Sequence, residues 1–171
     1  MKNLDELEIS IPVVSAIVER LHNEKVEVLI QTRWQPESDL KYSGTLEIPS
    51  GWIGKYETVY DALRREVFEE TGLTVVKIKP ETKTEIYSVT DDSAFAFSPF
   101  CCHQQIRNGL PWIGFVFICE VDDAEPRPQE NESKNIRWIE KSKLKEIFKE
   151  SPEKIFTFHL GVLDLYFKET E

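Results

Sequence analysis

Apolar, β-branched positions form two runs near the N-terminus of the chain. Residues 13–18 and 26–32 are rich in Val and Ile, whereas residues 22–25 between them are polar. Two such runs separated by a short polar group predict a β-hairpin, because each run is long enough for a strand and the polar group is short enough for a turn.

A helix is predicted in the next part of the chain. The polar stretch at 34–43 predicts a loop, and a short strand at 45–48 is expected to end at Pro49. Residues 58–71 then contain no Gly or Pro and are mostly good helix formers, and Gly72 follows as a C-terminal stop. This is the clearest helical signal in the sequence.

The rest of the chain alternates between strand and helix patterns. The segment at 91–109 is irregular and aromatic, which predicts a loop that we expect to contact substrate. A polar loop is expected at 122–135, and Ser142 is expected to cap the helix that follows it. The pattern predicts strands at 75–78, 85–90, 113–121 and 136–139 and helices at 143–149 and 153–168.

Length and composition predict a single domain over residues 1–171, with an N-terminal extension at 1–11 and a C-terminal helix and tail at 153–171. With 40% hydrophobic residues, the chain has no apolar run approaching the roughly 20 residues needed to cross a bilayer. Its start lacks the basic and apolar parts of a secretory signal. We therefore expect a cytoplasmic protein with no membrane partner.

The charge of the chain limits its partners. The formal net charge is −10, from 31 acidic and 21 basic residues, which disfavours binding of a nucleic-acid polymer through a broad basic surface. A small phosphorylated ligand stays compatible with this charge, because a metal ion can cancel the local repulsion. Cys101, Cys102 and Cys119 show no metal-binding spacing, so we expect reduced packing residues and no structural zinc.

Three glutamates share one side of the predicted helix. Glu66, Glu69 and Glu70 have the i, i+3, i+4 relation and fall within an arc of roughly 100°. Glu66 and Glu70 project from the helix in nearly the same direction as Val59 and Leu63, the expected core contacts. Buried carboxylates need cations or hydrogen-bond donors nearby. Carboxylate ligands without Cys or His suit Mg²⁺ or Mn²⁺ and point to phosphate chemistry. The alternative is an acidic helix face that is merely solvated.

The residues around this helix resemble the complete Nudix box. Gly51 is followed after five residues by Glu57, and after seven more by the run from Arg65 to Leu73, which reads REVFEETGL. Every fixed position of the box is matched. The resemblance implies an α/β (α+β) fold in which a mixed sheet is packed between helices as an α/β/α sandwich. In that fold the box forms a loop, a helix and a second loop.

The resemblance also implies roles for individual residues. It implies that Glu66, Glu69 and Glu70 bind the metal, that the Gly51 carbonyl is a further ligand, and that Arg65 with Glu57 orients the loop and helix. The catalytic residues implied in this way are Glu69, Glu70, Arg65 and Glu132. Ser50 stands where a second glycine is common in the family.

The general base has three candidates. Glu132 lies six residues before Trp138 and is similar to a base or metal ligand that the family often places before a Trp-containing strand. Glu130 and a glutamate of the box are the other two. A base needs reach to the attacking water, so the sequence leaves all three open, together with the alternative that Glu130 and Glu132 are solvated loop acids.

The substrate is expected to be a small nucleotide-like phosphorylated molecule. Aromatic rings can stack on bases, so Trp34, Trp52 and Tyr87, together with Arg33, are the candidate substrate-binding residues. Our first hypothesis is a metal-dependent pyrophosphohydrolase that acts on a nucleoside diphosphate linked to another group, such as a nucleoside triphosphate or nucleotide sugar. The alternative is a catalytically inactive Nudix-fold nucleotide-binding or regulatory module. The C-terminal helix could cover the core or form a homodimer contact.

Overall fold

The computed structural model describes residues 9–37, 39–128 and 133–170. Its strands are β1 (Ile11–His22), β2 (Lys25–Arg33), β3 (Leu46–Glu47), β4 (Ser50–Trp52), β5 (Val75–Lys79), β6 (Thr82–Lys83), β7 (Tyr87–Val89), β8 (Asp92–Ala94), β9 (Phe97–Ser98), β10 (Cys101–Gln104), β11 (Trp112–Val121) and β12 (Ser133–Glu140). Its helices are α1 (Val59–Thr71), α2 (Lys141–Glu150) and α3 (Thr157–Glu169), with a 3-10 turn at Pro152–Lys154.

Strand β1 organises the main sheet, whose order is β10-β11-β1-β2-β12. Residues 11–18 of β1 pair in parallel with β11, and residues 19–22 pair in antiparallel with β2. On the other edge of its first half, β1 pairs with β4, with Val14 opposite Gly51. This short pairing places the segment before α1 alongside the central strand.

Successive side chains of a strand point to opposite faces of the sheet. Both faces of this sheet carry apolar side chains, and helices cover both. Val14, Ala16 and Val18 of β1 pack with the buried side of α1, whereas Ile17 lies in the cluster that includes residues of α2 and α3. A buried parallel pair at the centre of such a sheet needs cover on both faces. The predicted mixed-sheet α/β/α sandwich is confirmed.

The predicted hairpin and helix are confirmed. Asn23 and Glu24 have positive φ angles of 48° and 62°, which form the two-residue turn between β1 and β2. Helix α1 begins after Thr58, whose side chain accepts from the backbone N–H of Asp61 at 3.1 Å. It ends at Gly72, which has a φ of 71° and donates to Phe68 O.

Two predictions in the second half were wrong. The segment at 91–109 holds three short strands, β8, β9 and β10, and strand β10 pairs with the strong strand β11 along four residues. Ser142 lies inside α2, which begins at Lys141 without a side-chain cap. Edge strands this short carry too few residues to show a period-two pattern.

The boundaries of two other elements differ from the predictions. The last helix begins at Thr157 rather than 153, because Pro152–Lys154 forms a separate 3-10 turn that brings Ile155 beside Leu46. The break predicted after residue 48 is also shorter than expected. The chain resumes extended pairing at Ser50 as β4, now with β1 instead of β2. Pro49 therefore marks a change of partner strand.

None of the helices among the described residues combines the length and the apolar character that a membrane span requires. Cys101, Cys102 and Cys119 are free thiols. Cys119 is fully buried in the core on the α1 side of the sheet, which confirms its predicted role as a packing residue. Cys102 is exposed, so the same prediction was wrong for that residue.

Candidate functional site

The C-terminal half of α1 carries three glutamates that differ in burial. Glu70 is 6% exposed and continues the apolar stripe formed by Leu63 and Val67, because the spacings place these residues on one side of the helix. The Glu66 side chain is 15% exposed and that of Glu69 is 50% exposed. The three carboxylates therefore extend from the protein interior to the solvent.

The buried carboxylate of Glu70 is held by two donors from different strands. The backbone N–H of Ser50 donates to its Oε2 atom at 3.0 Å, and Gln31 Nε2 donates to the same atom at 2.9 Å. Burial, and secondly the charge of nearby Glu47, raise the pKa of Glu70 well above its ordinary value. The ionised form is therefore costly here unless a cation accompanies it.

Glu47 is a fourth acid of this site that the sequence analysis missed. It is 7% exposed, and it accepts from Gln31 Nε2 at 3.4 Å and from Arg33 Nη1 at 3.1 Å. Burial raises its pKa to about 7, although Arg33 acts in the opposite direction. The sequence did contain one sign of this role. An acid stands between Leu46 and Ile48 in a short apolar strand, and acids are rarely found at buried positions.

Arg65 joins the loop before α1 to the helix. Its Nε and Nη2 atoms donate to the two oxygens of Glu57 at 2.8 and 2.9 Å, and Nη2 also donates to Trp52 O at 2.9 Å. This two-point hydrogen bond lowers the pKa of Glu57 to about 2. Nη1 lies 2.6 Å from Glu66 Oε1 and 3.0 Å from Glu69 Oε2.

Gly51 lies very close to the carboxylate of Glu66. A Cβ atom at this position would lie 1.9 Å from the carboxyl carbon of Glu66, far inside van der Waals contact. Because that carboxyl group ends a flexible side chain, a larger residue at position 51 would force the Glu66 carboxylate to move. The absence of a side chain at Gly51 leaves room for the loop to pack against the helix, and the hydrogen bonds of Arg65 hold it there.

These acids line a cleft of about 870 Å³. Arg33 and Trp52, two of the candidate substrate residues, line it, and Trp52 is 61% exposed. Trp34 and Tyr87 do not line it: Lys134 lies 3.5 Å from the Trp34 ring centroid, and Tyr87 lies on the exposed β7–β8 hairpin. Glu130 and Glu132 fall outside the described residues.

The donor set of the cleft fits a hard divalent cation. The carboxylates of Glu66, Glu69 and Glu70 line the cleft beside Gly51, and carboxylate oxygens are among the ligands that Mg²⁺ and Mn²⁺ prefer. A cation would also offset the cost of the buried charge at Glu70. Among the described residues no three acidic, His or Cys side chains already stand together as a metal site. Arg65 instead bridges Glu66 and Glu69.

A chain of buried polar groups lies behind Glu70. The backbone N–H of Ile48 lies 3.4 Å from His159 Nδ1, and His159 Nε2 lies 3.1 Å from Ser50 Oγ. Because Ile48 N–H can only donate, Nδ1 accepts and Nε2 donates to Ser50. Ser50 Oγ is 3.0 Å from Ser15 Oγ, which is 3.4 Å from His103 Nε2. Burial keeps the pKa of His159 well below its ordinary value.

This chain of groups ties α3 to the loop that holds Glu70. His159 is 1% exposed and belongs to α3, whereas Ser50 belongs to β4 and its backbone N–H holds Glu70. The His103 ring closes the chain on α3 again, with Nδ1 3.0 Å from Phe158 O. The C-terminal helix therefore supports a residue of the site although it lies far from the box in sequence.

Known proteins resemble this chain in sequence and in fold. The family model of the NUDIX domain matches residues 11–159. The RNA pyrophosphohydrolase of Bartonella tribocorum (strain CIP 105476 / IBS 506) is 28% identical over 121 residues, which cover 68% of each chain.

Two solved structures share the fold. The NUDIX domain of Shewanella oneidensis NrtR, complexed with ADP ribose, superposes with a TM-score of 0.69 at 13% identity, over 99% of this chain and 94% of that one. The MutT protein from Methanosarcina mazei Go1 superposes with a TM-score of 0.65 at 18% identity, over 97% and 100%.

We predict that Gly51→Ala weakens divalent cation binding by about 10- to 100-fold, because the new methyl group displaces the Glu66 carboxylate. Mn²⁺ titration calorimetry measures the affinity. Gly161→Ala is the matched control, since a Cβ at that position in α3 meets no atom within 4 Å. Equal Mn²⁺ affinity of the two variants would contradict the role of Gly51.

We predict that His159→Leu lowers Mn²⁺ affinity by about 10-fold, because Ser50 loses the donor that helps to position it for Glu70. His159→Gln keeps an N–H near the position of Nε2 and should restore most of the affinity.

Tyr166→Phe provides the control for this effect. Tyr166 is fully buried on the same helix, and its hydroxyl donates to Glu19 at 2.8 Å, away from the cleft lining. Losing either buried hydrogen bond should cost about 1–3 kcal/mol of stability. If Tyr166→Phe weakens Mn²⁺ binding as much as His159→Leu, the effect is one of general stability and the positioning role is wrong.

Proposed function

The chain belongs to the NUDIX family of hydrolases, which act on phosphorus-containing anhydrides, and we propose that it is a metal-dependent pyrophosphohydrolase. Its substrate is a nucleoside diphosphate linked to another group. One observation carries the proposal: the glutamates of α1 line a cleft, and the partly exposed Glu66 fits closely against Gly51. Such a set of oxygen ligands suits a cation that is shared with substrate phosphates.

The related proteins support the same class of substrate. The relative from Bartonella tribocorum is named an RNA pyrophosphohydrolase, and the NUDIX domain of NrtR binds ADP ribose. Both ligands contain a nucleotide unit. The net charge of −10 favours a small nucleotide over a polymer, because most of the surface repels a phosphate backbone.

Glu66, Glu69 and Glu70 would hold Mg²⁺ or Mn²⁺, with the backbone carbonyl of Gly51 as a further ligand. When bound, the cation neutralises charge on the phosphate oxygens and lowers the pKa of a water molecule. Ser50 and Gln31 hold Glu70 in place through its Oε2 atom, so this carboxylate enters the site already oriented. The positioning of the acids is thus the contribution of the protein.

Arg65 has a structural role in the reaction. By holding Glu57 and the Trp52 carbonyl it keeps the loop against α1, and it supplies positive charge beside two carboxylates. Hydrolysis forms a P–O bond from water and breaks the anhydride P–O bond, so a proton must leave the attacking water. Glu69 is half exposed in the cleft and is one candidate base. Glu132 and Glu130 are the others.

We predict that a screen with Mg²⁺ or Mn²⁺ finds hydrolysis of one nucleotide class, with a product that keeps a 5′-monophosphate on its nucleoside. The panel contains nucleoside triphosphates, nucleotide sugars, dinucleoside polyphosphates, coenzyme A and a 5′-triphosphorylated RNA oligonucleotide. Mass spectrometry in ¹⁸O-labelled water identifies the products and the phosphorus that water attacks. Glu70→Gln should lower turnover by at least about 100-fold, more than the roughly 10- to 100-fold typical of losing an indirect partner of a ligand.

The controls separate catalysis from folding. Glu146→Gln, which changes an exposed carboxylate on α2, should leave turnover unchanged. Glu70→Gln should melt no lower than the wild type without metal, since it removes a costly buried charge, but it should lose the Mn²⁺-dependent rise in melting temperature. Full turnover of Glu70→Gln would refute the proposed site. Nucleotide binding without hydrolysis under either metal would favour the inactive binding module.

A further inference from the structure

A two-stranded ribbon lies outside the packed core, beside the start of α1. Strands β7 and β8 form it, and every residue from 81 to 94 is exposed. Its base is fixed, because Phe95 and Phe97 pack against Tyr60 of α1 with ring centroids 6.3 Å apart in both pairs. We call residues 85–94 the arm. A two-stranded hairpin is marginally stable by itself in water, so an exposed arm gains stability from a partner that covers it.

The two faces of the arm differ in polarity. Tyr87 and Val89 lie two residues apart on β7 and therefore share a face, with Asp92 opposite Val89. The other face carries Ser88 and Ser93, whose hydroxyl oxygens lie 2.8 Å apart. In the single chain Tyr87 and Val89 are 66% and 73% exposed. An apolar face opposite a polar one is typical of an antiparallel ribbon that is covered on one side.

The charge of the arm limits what can cover it. Its charged residues, Glu85, Asp91 and Asp92, are all acids. They form no ion pair with any part of the chain that the structure describes. A covering surface therefore has to offer apolar side chains together with cations that are not already neutralised.

Three loops at the mouth of the cleft offer this combination. Each carries an exposed cation next to a large apolar side chain that is at least 76% exposed. The pairs are Leu40 with Lys41, Lys55 with Tyr56, and Ile106 with Arg107, and we call these six residues the rim. Within the described ranges of the chain, the three cations of the rim have no acidic partner.

The rim borders the cleft without lining it. Its members stand next to cleft-lining residues in the chain, namely Asp39, Tyr42, Gly54, Gln105 and Gly109. The acids closest to it in sequence are already paired, Asp39 with Arg33 and Glu57 with Arg65. The positive charge of the rim is therefore available to a partner, although the protein as a whole is acidic.

We propose that two copies of the chain form a two-fold dimer in which the arm of each copy lies on the rim of the other. Three acids then meet three cations, and the apolar side chains of the rim cover Tyr87 and Val89. Each copy gives one arm and receives one, so the assembly closes at two. Tyr87 of the partner subunit borders the mouth of each cleft. This contact goes beyond the proposed function and does not depend on it.

A second copy covers both surfaces at once. An anionic lipid surface would suit the basic and apolar rim, but it would repel the acidic arm and leave it uncovered. A separate basic protein would cover the arm and leave the rim exposed. Because the arm and the rim occur in one chain with equal and opposite charge, pairing between copies satisfies both.

Sedimentation velocity of the full chain over a range of concentrations, without metal or substrate, tests the dimer. The wild type should dimerise. The arm reversal, Asp91→Lys with Asp92→Lys, and the rim reversal, Lys55→Glu with Arg107→Glu, should each raise the dissociation constant by at least roughly 10-fold, because like charges then face each other. A chain with both reversals keeps the wild-type net charge and should dimerise within about threefold of the wild type.

Matched controls change the same residue types elsewhere. Val89→Ser should weaken the dimer, whereas Val76→Ser, at a position on β5 that is 63% exposed, should not. Glu146→Lys with Glu150→Lys alters the net charge as the arm reversal does, on exposed positions of α2, and should leave the dimer intact. Melting temperatures check that every variant is folded, and the rim reversal stays informative if the arm reversal unfolds.

Three results would overturn the proposal. The first is a wild-type monomer at every concentration, and binding of that monomer to phosphatidylserine vesicles would assign the rim to a lipid surface instead. The second is a dissociation constant that neither reversal changes. The third is a combined variant as weak as the single reversals, since arm and rim then do not face each other. None of these results bears on hydrolysis, which the activity screen tests separately.

Discussion

The burial of Glu70 beside a second buried acid, Glu47, is the constraint on which the rest of the site depends. A carboxylate in the protein interior is costly unless hydrogen-bond donors and cations surround it. Ser50 and Gln31 donate hydrogen bonds to Glu70, and Arg33 forms an ion pair with Glu47. Without a cation, the buried carboxylates lower the stability of the folded protein, and a divalent cation would offset this loss. Stability and cation binding are therefore opposed at this position.

Backbone geometry decides whether the acids can meet a common ligand. Strand β4 passes so close to α1 that a side chain at position 51 would displace the Glu66 carboxylate, and Arg65 holds the loop there through Glu57 and the Trp52 carbonyl. The antiparallel pairing of β4 with β1 anchors that segment in the sheet. The pairing of β4 and the hydrogen bonds of Arg65 thus position the residues at the end of the helix.

Helix α3 and the residue before it contribute to the cleft in two ways. His159 lies behind Ser50 and completes the hydrogen bonds that support the loop, whereas Phe156 and Phe158 line the cleft. The same short segment therefore supports the acidic residues of the cleft and also forms part of its apolar lining. This explains why a helix outside the box packs against the sheet through a buried, neutral histidine rather than through apolar residues alone.

The sequence by itself determined the local features. The hairpin, the end of α1 at Gly72 and the common side of Glu66, Glu69 and Glu70 follow from short-range spacing, because turn and helix geometry depend on neighbouring residues. Only the tertiary structure decided that Glu47, Gln31 and Arg33 join these acids, that His159 supports Ser50, and that Trp112 lines the cleft while Trp34 does not. These contacts join residues far apart in the chain, and their side-chain directions depend on strand register and packing, which no local pattern records.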